Sequence, residues 1–184
     1  MNKRPKIIEN YRNFEPPPKF RDTIDELVRY APEEFLTGLQ SIVLTNRAIL
    51  NHDKKRQKTW SRNRKIRLAD ALGYYTEATK SSSASIVLYV DNLTNGSDNW
   101  VVRLPLIRYF LAGDVLYHEL GHHIHAAHRP VHKGKEDVAE YWSRTLLLRF
   151  VRKRYWYLYP AFYVTAKTLK FVKRIRRTFS RTRD

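Results

Sequence analysis

The chain has 184 residues, of which 42% are hydrophobic and 13% aromatic, enough to form one domain with a sizeable core. It contains no cysteine, which excludes disulfides and thiolate metal sites and leaves only nitrogen and oxygen ligands for a metal ion. The formal net charge is +17, and no uncharged apolar stretch is long enough to predict a membrane span.

The first part of the chain predicts an extended arm followed by two helices. Residues 1–21 are basic and contain three consecutive prolines from Pro16, which favours an extended segment over a helix. Their charged start lacks the apolar segment of a signal peptide and predicts a cytoplasmic protein. Apolar residues at helical spacing after Asp22 predict a first helix, and Pro32 predicts the start of a second helix that ends at Gly38.

Three strands are predicted in the middle of the chain. The segments 41–45, 72–79 and 85–90 are rich in apolar and β-branched or aromatic residues, and the last gives the clearest signal. Residues 54–67 contain eight Lys or Arg and no acid, and because they have no apolar period we predict a long connection there. The segment 92–99 is predicted to be an exposed turn.

Two helices are predicted to follow the strands. The first begins near Ile107 or Ala112, has Asp114 as a candidate N-cap and ends by Pro130. A short loop then leads to a second helix that begins near Glu136.

The first of these helices carries the motif His-Glu-x-x-His as His118, Glu119 and His122. Residues four apart lie one above the other on the same face of a helix, so both imidazoles can bind one ion. Glu119 lies one residue along, beside the metal rather than on it, where a general base for water belongs. The motif therefore predicts a metal site with a hydrolytic base.

With this motif the chain resembles the zincin metallopeptidases. The resemblance implies a zinc hydrolase with His118 and His122 as ligands of one zinc ion and Glu119 as the general base that activates a zinc-bound water. In the gluzincin type the third ligand is a glutamate on the next helix, and Glu136 has that place. The segment from Glu136 also resembles the Glu-x-x-Ala-x-x-aromatic segment of minigluzincins and of ImmA/IrrE-like proteins. Glu140, four residues on, would then orient a ligand histidine from behind.

Two other residues are candidates for the third ligand. The metzincin pattern has a histidine ten residues after the first, where this chain has His128, but it also has a glycine midway, where this chain has His125. Asp137 would serve as in clans that use an aspartate. His123, His125 and His132 are otherwise predicted to be surface or pocket histidines.

The resemblance implies an α+β fold, in which a three-stranded sheet packs on the motif helix and on the glutamate-bearing helix. The resemblance covers a small zincin-like metallopeptidase domain at 22–153. Composition predicts an N-terminal extended arm at 1–21 before it and a basic aromatic C-terminal tail at 154–184 after it. A basic amphipathic helix is predicted within the tail, at 161–178.

The activity that the resemblance implies is zinc-dependent hydrolysis of peptide bonds. An extended peptide or protein substrate is expected to pair with a strand at 85–90 or 72–79 by main-chain hydrogen bonds. Tyr141, Tyr155 or one of the additional histidines is a candidate for stabilising the oxyanion.

The charge distribution supports an alternative prediction. The basic residues between Lys54 and Arg67 and those of the tail could bind nucleic acid, another polyanion, an acidic partner or an anionic membrane surface. The chain would then be a basic regulatory or binding protein with a vestigial zinc site, or with a structural site closed by a fourth side chain such as His128 or His132.

Overall fold

A computed structural model of the chain describes residues 4–61, 64–80, 82–94, 100–128 and 134–158. The strands are β1 (Lys6–Asn10), β2 (Leu39–Thr45), β3 (Lys58–Ser61), β4 (Arg64–Arg67), β5 (Gly73–Thr76) and β6 (Ala84–Tyr89). The helices are α1 (Phe20–Tyr30), α2 (Glu33–Leu36), α3 (His52–Arg56), α4 (Val90–Thr94), α5 (Pro105–His128) and α6 (Lys135–Arg154). The predicted helix at 161–178 lies outside the described residues.

A four-stranded mixed sheet in the order β1-β2-β6-β5 forms the centre of the fold. β1, β2 and β6 are parallel, and β5 is antiparallel to β6. The predicted α+β class is confirmed, but the sheet has four strands where we predicted three. The additional strand, β1, lies in the segment predicted to be a surface arm. It is a mostly exposed edge strand with three charged or amide residues in five, so its sequence carries almost no apolar signal.

The core lies between one face of this sheet and the helices α1 and α5. Alternate residues of the two central strands are buried on this face, because side chains of a strand point alternately to its two faces. They pack with the apolar side of α1 and with the middle of α5, and the apolar space between these elements is lined by residues that include Val28, Ile42, Ile86, Leu116 and Leu120.

Part of the other face of the sheet, around Tyr89 of β6, is packed by a basic segment that was predicted to be a connection. It forms α3 and an antiparallel two-stranded ribbon of β3 and β4. Ile66 of β4 packs against a small cluster of Leu50, Ala71 and Tyr89, to which Tyr74 of β5 also belongs. One apolar residue between charged neighbours is too short a pattern to predict a strand, which explains why the sequence did not reveal the ribbon.

Two boundaries differ from the predictions because tertiary contacts decide them. The segment predicted to be an exposed turn from residue 92 begins as α4, in which Leu93 and Thr94 are buried; residues 95–99 lie outside the described ones. Asp114 is not an N-cap, since α5 begins nine residues earlier at Pro105. Its backbone carbonyl instead accepts a hydrogen bond from the Ser143 hydroxyl of α6 (Oγ–O 3.0 Å).

The chain divides into two compact units, residues 1–148 and 149–184. The sheets and the helices up to α5 belong to the first unit. In the described part of the second unit, Tyr155 packs edge-on against Phe150 with ring centroids 6.2 Å apart. Within the described residues, no helix is long and apolar enough to cross a membrane.

Candidate metal centre

The two helices that carry the predicted ligands approach each other closely through small residues. A Cβ atom at Gly121 of α5 would lie 2.6 Å from the Cα of Ala139 and 2.9 Å from its carbonyl oxygen, both on α6. Further along, a Cβ at Gly113 would lie 2.9 Å from Cδ1 of Leu147. The helices run antiparallel at this contact, and only glycine lets their backbones come this near.

This packing brings together His118, His122 and Glu136, the three residues predicted as ligands. The Nε2 atom of His118 lies 3.5 Å from Oε2 of Glu136, and Nε2 of His122 lies 3.6 Å from Oε1 of the same carboxylate. One ligand atom from each residue lies within 4.8 Å of the other two. The His118 and His122 side chains are only 4% and 8% exposed, and that of Glu136 is 20% exposed, so the cluster is largely shielded from solvent.

The spacing of these atoms suits a small divalent ion. Zinc binds imidazole nitrogen and carboxylate oxygen at about 2.1 Å, so two ligands at the tetrahedral angle are separated by about 3.4 Å. The distances from Glu136 to His118 and to His122, 3.5 and 3.6 Å, are close to that value. They are longer than a hydrogen bond, so the carboxylate is placed near both rings without being bonded to either.

The chemical state of the cluster also fits a metal ion. Burial, with smaller contributions from His118, Lys135 and His125, lowers the pKa of His122 to about 3, so its imidazole is neutral at physiological pH, as a metal ligand must be. Among the described residues, Oε2 of Glu136 and Nδ1 of His122 are buried and have no hydrogen-bond partner. Buried polar atoms are normally paired, and an ion would pair this carboxylate oxygen.

Glu119, the predicted base, lies on the same helix directly after His118. It is 5% exposed, and as the residue after His118 it is turned by about 100° around the helix axis from that ligand. A carboxylate in this position stands next to the ligands without belonging to the cluster that they form.

Among the described residues, Glu140 and Asp137 do not belong to the cluster of His118, His122 and Glu136. Glu140 pairs with Arg144 one turn along α6 (Nη2–Oε1 2.7 Å), and its contacts within the described residues do not include the ligand histidine that it was predicted to orient. Asp137 is exposed and does not belong to the cluster. His128 is the last residue of α5, and its side chain lies outside the described part of the structure, as do all atoms of His132.

His123, which the sequence predicted to be a surface or pocket histidine, is buried, and both of its ring nitrogens have hydrogen-bond partners. Its Nε2 lies 3.0 Å from the carbonyl oxygen of Thr37, which can only accept, so this nitrogen carries the proton. Its Nδ1 must then accept a hydrogen bond from the Tyr75 hydroxyl, at 3.1 Å. His123 therefore joins the motif helix to the chain before β2 and to the strand β5. The pairing depends on tertiary packing, and the sequence offers no local signal for it.

The two tyrosines predicted as candidates for stabilising the oxyanion differ in their surroundings. Tyr141 is 54% exposed and packs edge-on against Trp142, with ring centroids 5.2 Å apart. Tyr155 belongs to the second unit. The role therefore stays a prediction.

A second concave region, a cleft of about 890 Å³, lies at the carboxyl ends of β2 and β6. Its lining includes Asn46, Arg47, Asp70 and Asp91. Arg47 pairs with Asp91 (Nε–Oδ2 3.3 Å), and Asp70 pairs with Arg67 (2.7 Å). Two ion pairs therefore account for Arg47, Asp70 and Asp91, whereas Lys55, which also lines the cleft, has no carboxylate within 4.0 Å among the described residues.

Comparison of the chain with models of known protein families, with curated proteins and with solved structures finds no match.

Proposed function

We propose that the protein is a zinc-dependent metallopeptidase of gluzincin type, with a zincin-like domain. The observation that carries this proposal is the convergence of two imidazoles and one carboxylate from α5 and α6. Glu119, the residue that would act as base, lies on α5 directly after His118. Three protein ligands leave a fourth position for water or substrate, which is the arrangement of catalytic rather than structural zinc sites.

In this proposal His118, His122 and Glu136 hold one zinc ion. Bound zinc would lower the pKa of a coordinated water toward ~7 and polarise the carbonyl of the scissile peptide bond. Glu119 takes a proton from the attacking water and delivers it to the leaving amine as the carbon–nitrogen bond breaks. Its burial next to the ligands excludes bulk water and strengthens its interaction with the charges that develop during the reaction.

The sheet offers one suitable edge for a peptide substrate near this cluster. β6 is paired on both sides, by β2 and by β5, so it cannot accept another strand. β5 has a free edge in the described sheet, and the bond between its Tyr75 and His123 ties it to the helix of the ligands. We therefore assign substrate pairing to β5, and main-chain hydrogen bonds to this strand would align an extended peptide.

Metal content measured on tag-free protein tests the ligand set. The wild-type chain should bind about one zinc ion, and Glu136→Gln and His122→Gln should lose it because each removes one of three ligands. Asp137→Asn, Glu140→Gln and His128→Asn are matched controls that should retain it. Zinc that is lost with His128→Asn and kept with Glu136→Gln would reject the gluzincin arrangement, and stoichiometric iron in place of zinc would reject the proposed cofactor.

Hydrolysis itself is tested with a mixture of unstructured peptides, analysed by mass spectrometry. Cleavage should require zinc and should disappear with a chelator, then return when zinc is added back. A hydroxamate should compete with the peptides, because it binds a zinc ion only where a coordination position is open. Full zinc content without any cleavage, and without hydroxamate binding, would instead indicate a closed structural site.

A further inference from the structure

The ribbon of β3 and β4 has one inner and one outer face, which its pairing register defines. Lys58 lies opposite Arg67, Trp60 opposite Lys65, and Thr59 opposite Ile66. Directly opposed residues share a face of an antiparallel pair, and residues two apart along a strand share it as well. Lys58, Lys65 and Arg67 are therefore on one face, and Ile66 is on the other.

Ile66 identifies the inner face, because it is partly buried against the cluster of Leu50, Ala71 and Tyr89. The opposite face must then point to solvent, and Lys58, Lys65 and Arg67 are all exposed. The outer face of the ribbon consequently presents these three cations to solvent. It lies across the sheet from α5 and the metal-ligand cluster, since Tyr89 and Tyr74 of the apolar cluster point away from the core face.

The helix α3 extends this surface at the open end of the ribbon. The carbonyl oxygen of Gln57, the residue between α3 and β3, accepts a hydrogen bond of 2.7 Å from the backbone N–H of Leu68, which directly follows β4. This bond holds the end of α3 beside the paired ends of the ribbon. Three further exposed cations occupy the last turn of this helix, namely Lys54, Lys55 and Arg56.

Most of these charges are not neutralised. Arg67 is bonded to Asp70 (Nε–Oδ2 2.7 Å). In the described part of the chain, none of the other five cations has a carboxylate within 4.0 Å, and Asp53 is the one acid within α3. We call this surface, made of Lys54, Lys55, Arg56, Lys58, Lys65 and Arg67, the cationic ribbon.

We propose that the cationic ribbon binds the phosphate backbone of nucleic acid. An array of lysines and arginines that lack acidic partners gains free energy from neutralising phosphates and releasing their counterions. A two-stranded antiparallel ribbon is also one of the elements that the major groove of a duplex admits. An anionic membrane surface would attract the same charges, but it makes no use of the shape of a two-stranded ribbon. We therefore assign nucleic acid to this surface and test membrane binding separately.

Binding of a short labelled duplex of mixed sequence, followed by fluorescence anisotropy, tests this proposal in the full chain. The triple variant Lys54→Gln/Lys58→Gln/Lys65→Gln removes three charges from the cationic ribbon. The matched control Lys6→Gln/Lys80→Gln/Arg103→Gln removes three charges from exposed positions elsewhere. Both variants should keep the fold and the metal content of the wild type, since all six side chains are exposed and none belongs to the cluster.

The ribbon variant should bind about tenfold more weakly or worse, and the slope of log K against log salt should become shallower by about one for each lost phosphate contact. The control should keep the slope of the wild type. If both variants lost the same affinity for the duplex, the effect would come from net charge alone, and the proposal would be overturned. Binding to phosphatidylserine vesicles without binding to the duplex, or no duplex binding at low salt, would overturn it as well. If the triple variant failed to fold, Lys65→Gln alone would give the same test with a slope change of about one.

Discussion

Gly121 of α5 lies against the backbone of Ala139 of α6. The two helices are so close here that a Cβ atom at Gly121 would lie only 2.6 Å from the Cα of Ala139. Ala139 is three residues, or just under one helical turn, from Glu136. Gly121 likewise directly precedes His122. The contact therefore sets the distance between the carboxylate and the imidazoles, and a glycine without any chemistry of its own positions the cluster.

Gly121→Ala should weaken metal binding. The added methyl group would meet backbone atoms rather than a flexible side chain, so α6 must move outward and take Glu136 with it; overpacking of this kind costs about 1–3 kcal/mol of stability. Zinc affinity and the thermal midpoint of unfolding would both be measured. Gly134→Ala is the control, because among the described residues a Cβ there would meet only the end of the Asp137 side chain, at 3.0 Å. Unchanged zinc affinity in Gly121→Ala would show that the helix spacing does not set the site.

Glu119→Gln should separate metal binding from catalysis. The amide has the shape of the carboxylate but cannot take up a proton, so we expect wild-type zinc content together with a loss of peptide hydrolysis of about a hundredfold or more. Zinc content and the cleavage rate would be measured on the same preparation. Activity close to that of the wild type would remove Glu119 from its proposed role and leave the ligand assignment untouched.

Tyr75→Phe should loosen β5 from α5. The substitution removes the hydroxyl that donates to His123 and should lower the free energy of unfolding by about 1 kcal/mol. In the proposed enzyme it should also raise KM more than it lowers kcat, because β5 aligns the peptide. Tyr157→Phe, at an exposed position that has no proposed role in the site, is the control for both quantities. A change in kcat alone would assign Tyr75 to the chemical step instead.

The metal-free protein should become less stable as the pH is lowered, over a pH range set by the pKa of His122. Its pKa is about 3 in the folded chain and 6.5 in the absence of burial, so the unfolded chain binds an additional proton between these values. The free energy of unfolding contributed by this residue is therefore constant above pH ~6.5 and declines below it, by up to about 1.4 kcal/mol per pH unit. Urea unfolding of the wild type and of His122→Gln at pH 7 and pH 5 would measure the difference. Identical pH dependences in the two proteins would contradict it.

The sequence predicted those parts of the fold that leave a pattern within a single helix or strand. The apolar spacing of α1, the β-branched runs of β2 and β6, and the four-residue spacing of His118 and His122 each follow from the period of one helix or strand. Glu136 could be proposed because a resemblance supplied the position of the third ligand. The sequence indicated only its place on the next helix; the structure adds that its carboxylate lies close to both histidines.

The elements that the sequence missed are those defined by a partner. β1 exists because β2 offers it hydrogen bonds, and the ribbon of β3 and β4 exists because each strand pairs with the other. Glu140 was predicted to face a histidine, yet it bonds Arg144, since a charged neighbour one turn away competes for an exposed carboxylate. No pattern in a single segment reports such pairings, which depend on residues that are distant in sequence or on competition between neighbours.

β5 is held from both faces of the sheet before any substrate arrives. Tyr74 packs into the apolar cluster beneath the ribbon, and Tyr75 bonds His123 on the opposite face. A peptide that pairs with this strand therefore loses conformational entropy, whereas β5, which is already ordered, loses little on binding. Such preorganisation discriminates by substrate conformation: a segment that is already extended binds with the smallest entropy loss, and a helical segment must unfold first. If β5 serves as the docking edge, loops and unfolded chains should be cleaved before regular helices, whatever their side chains.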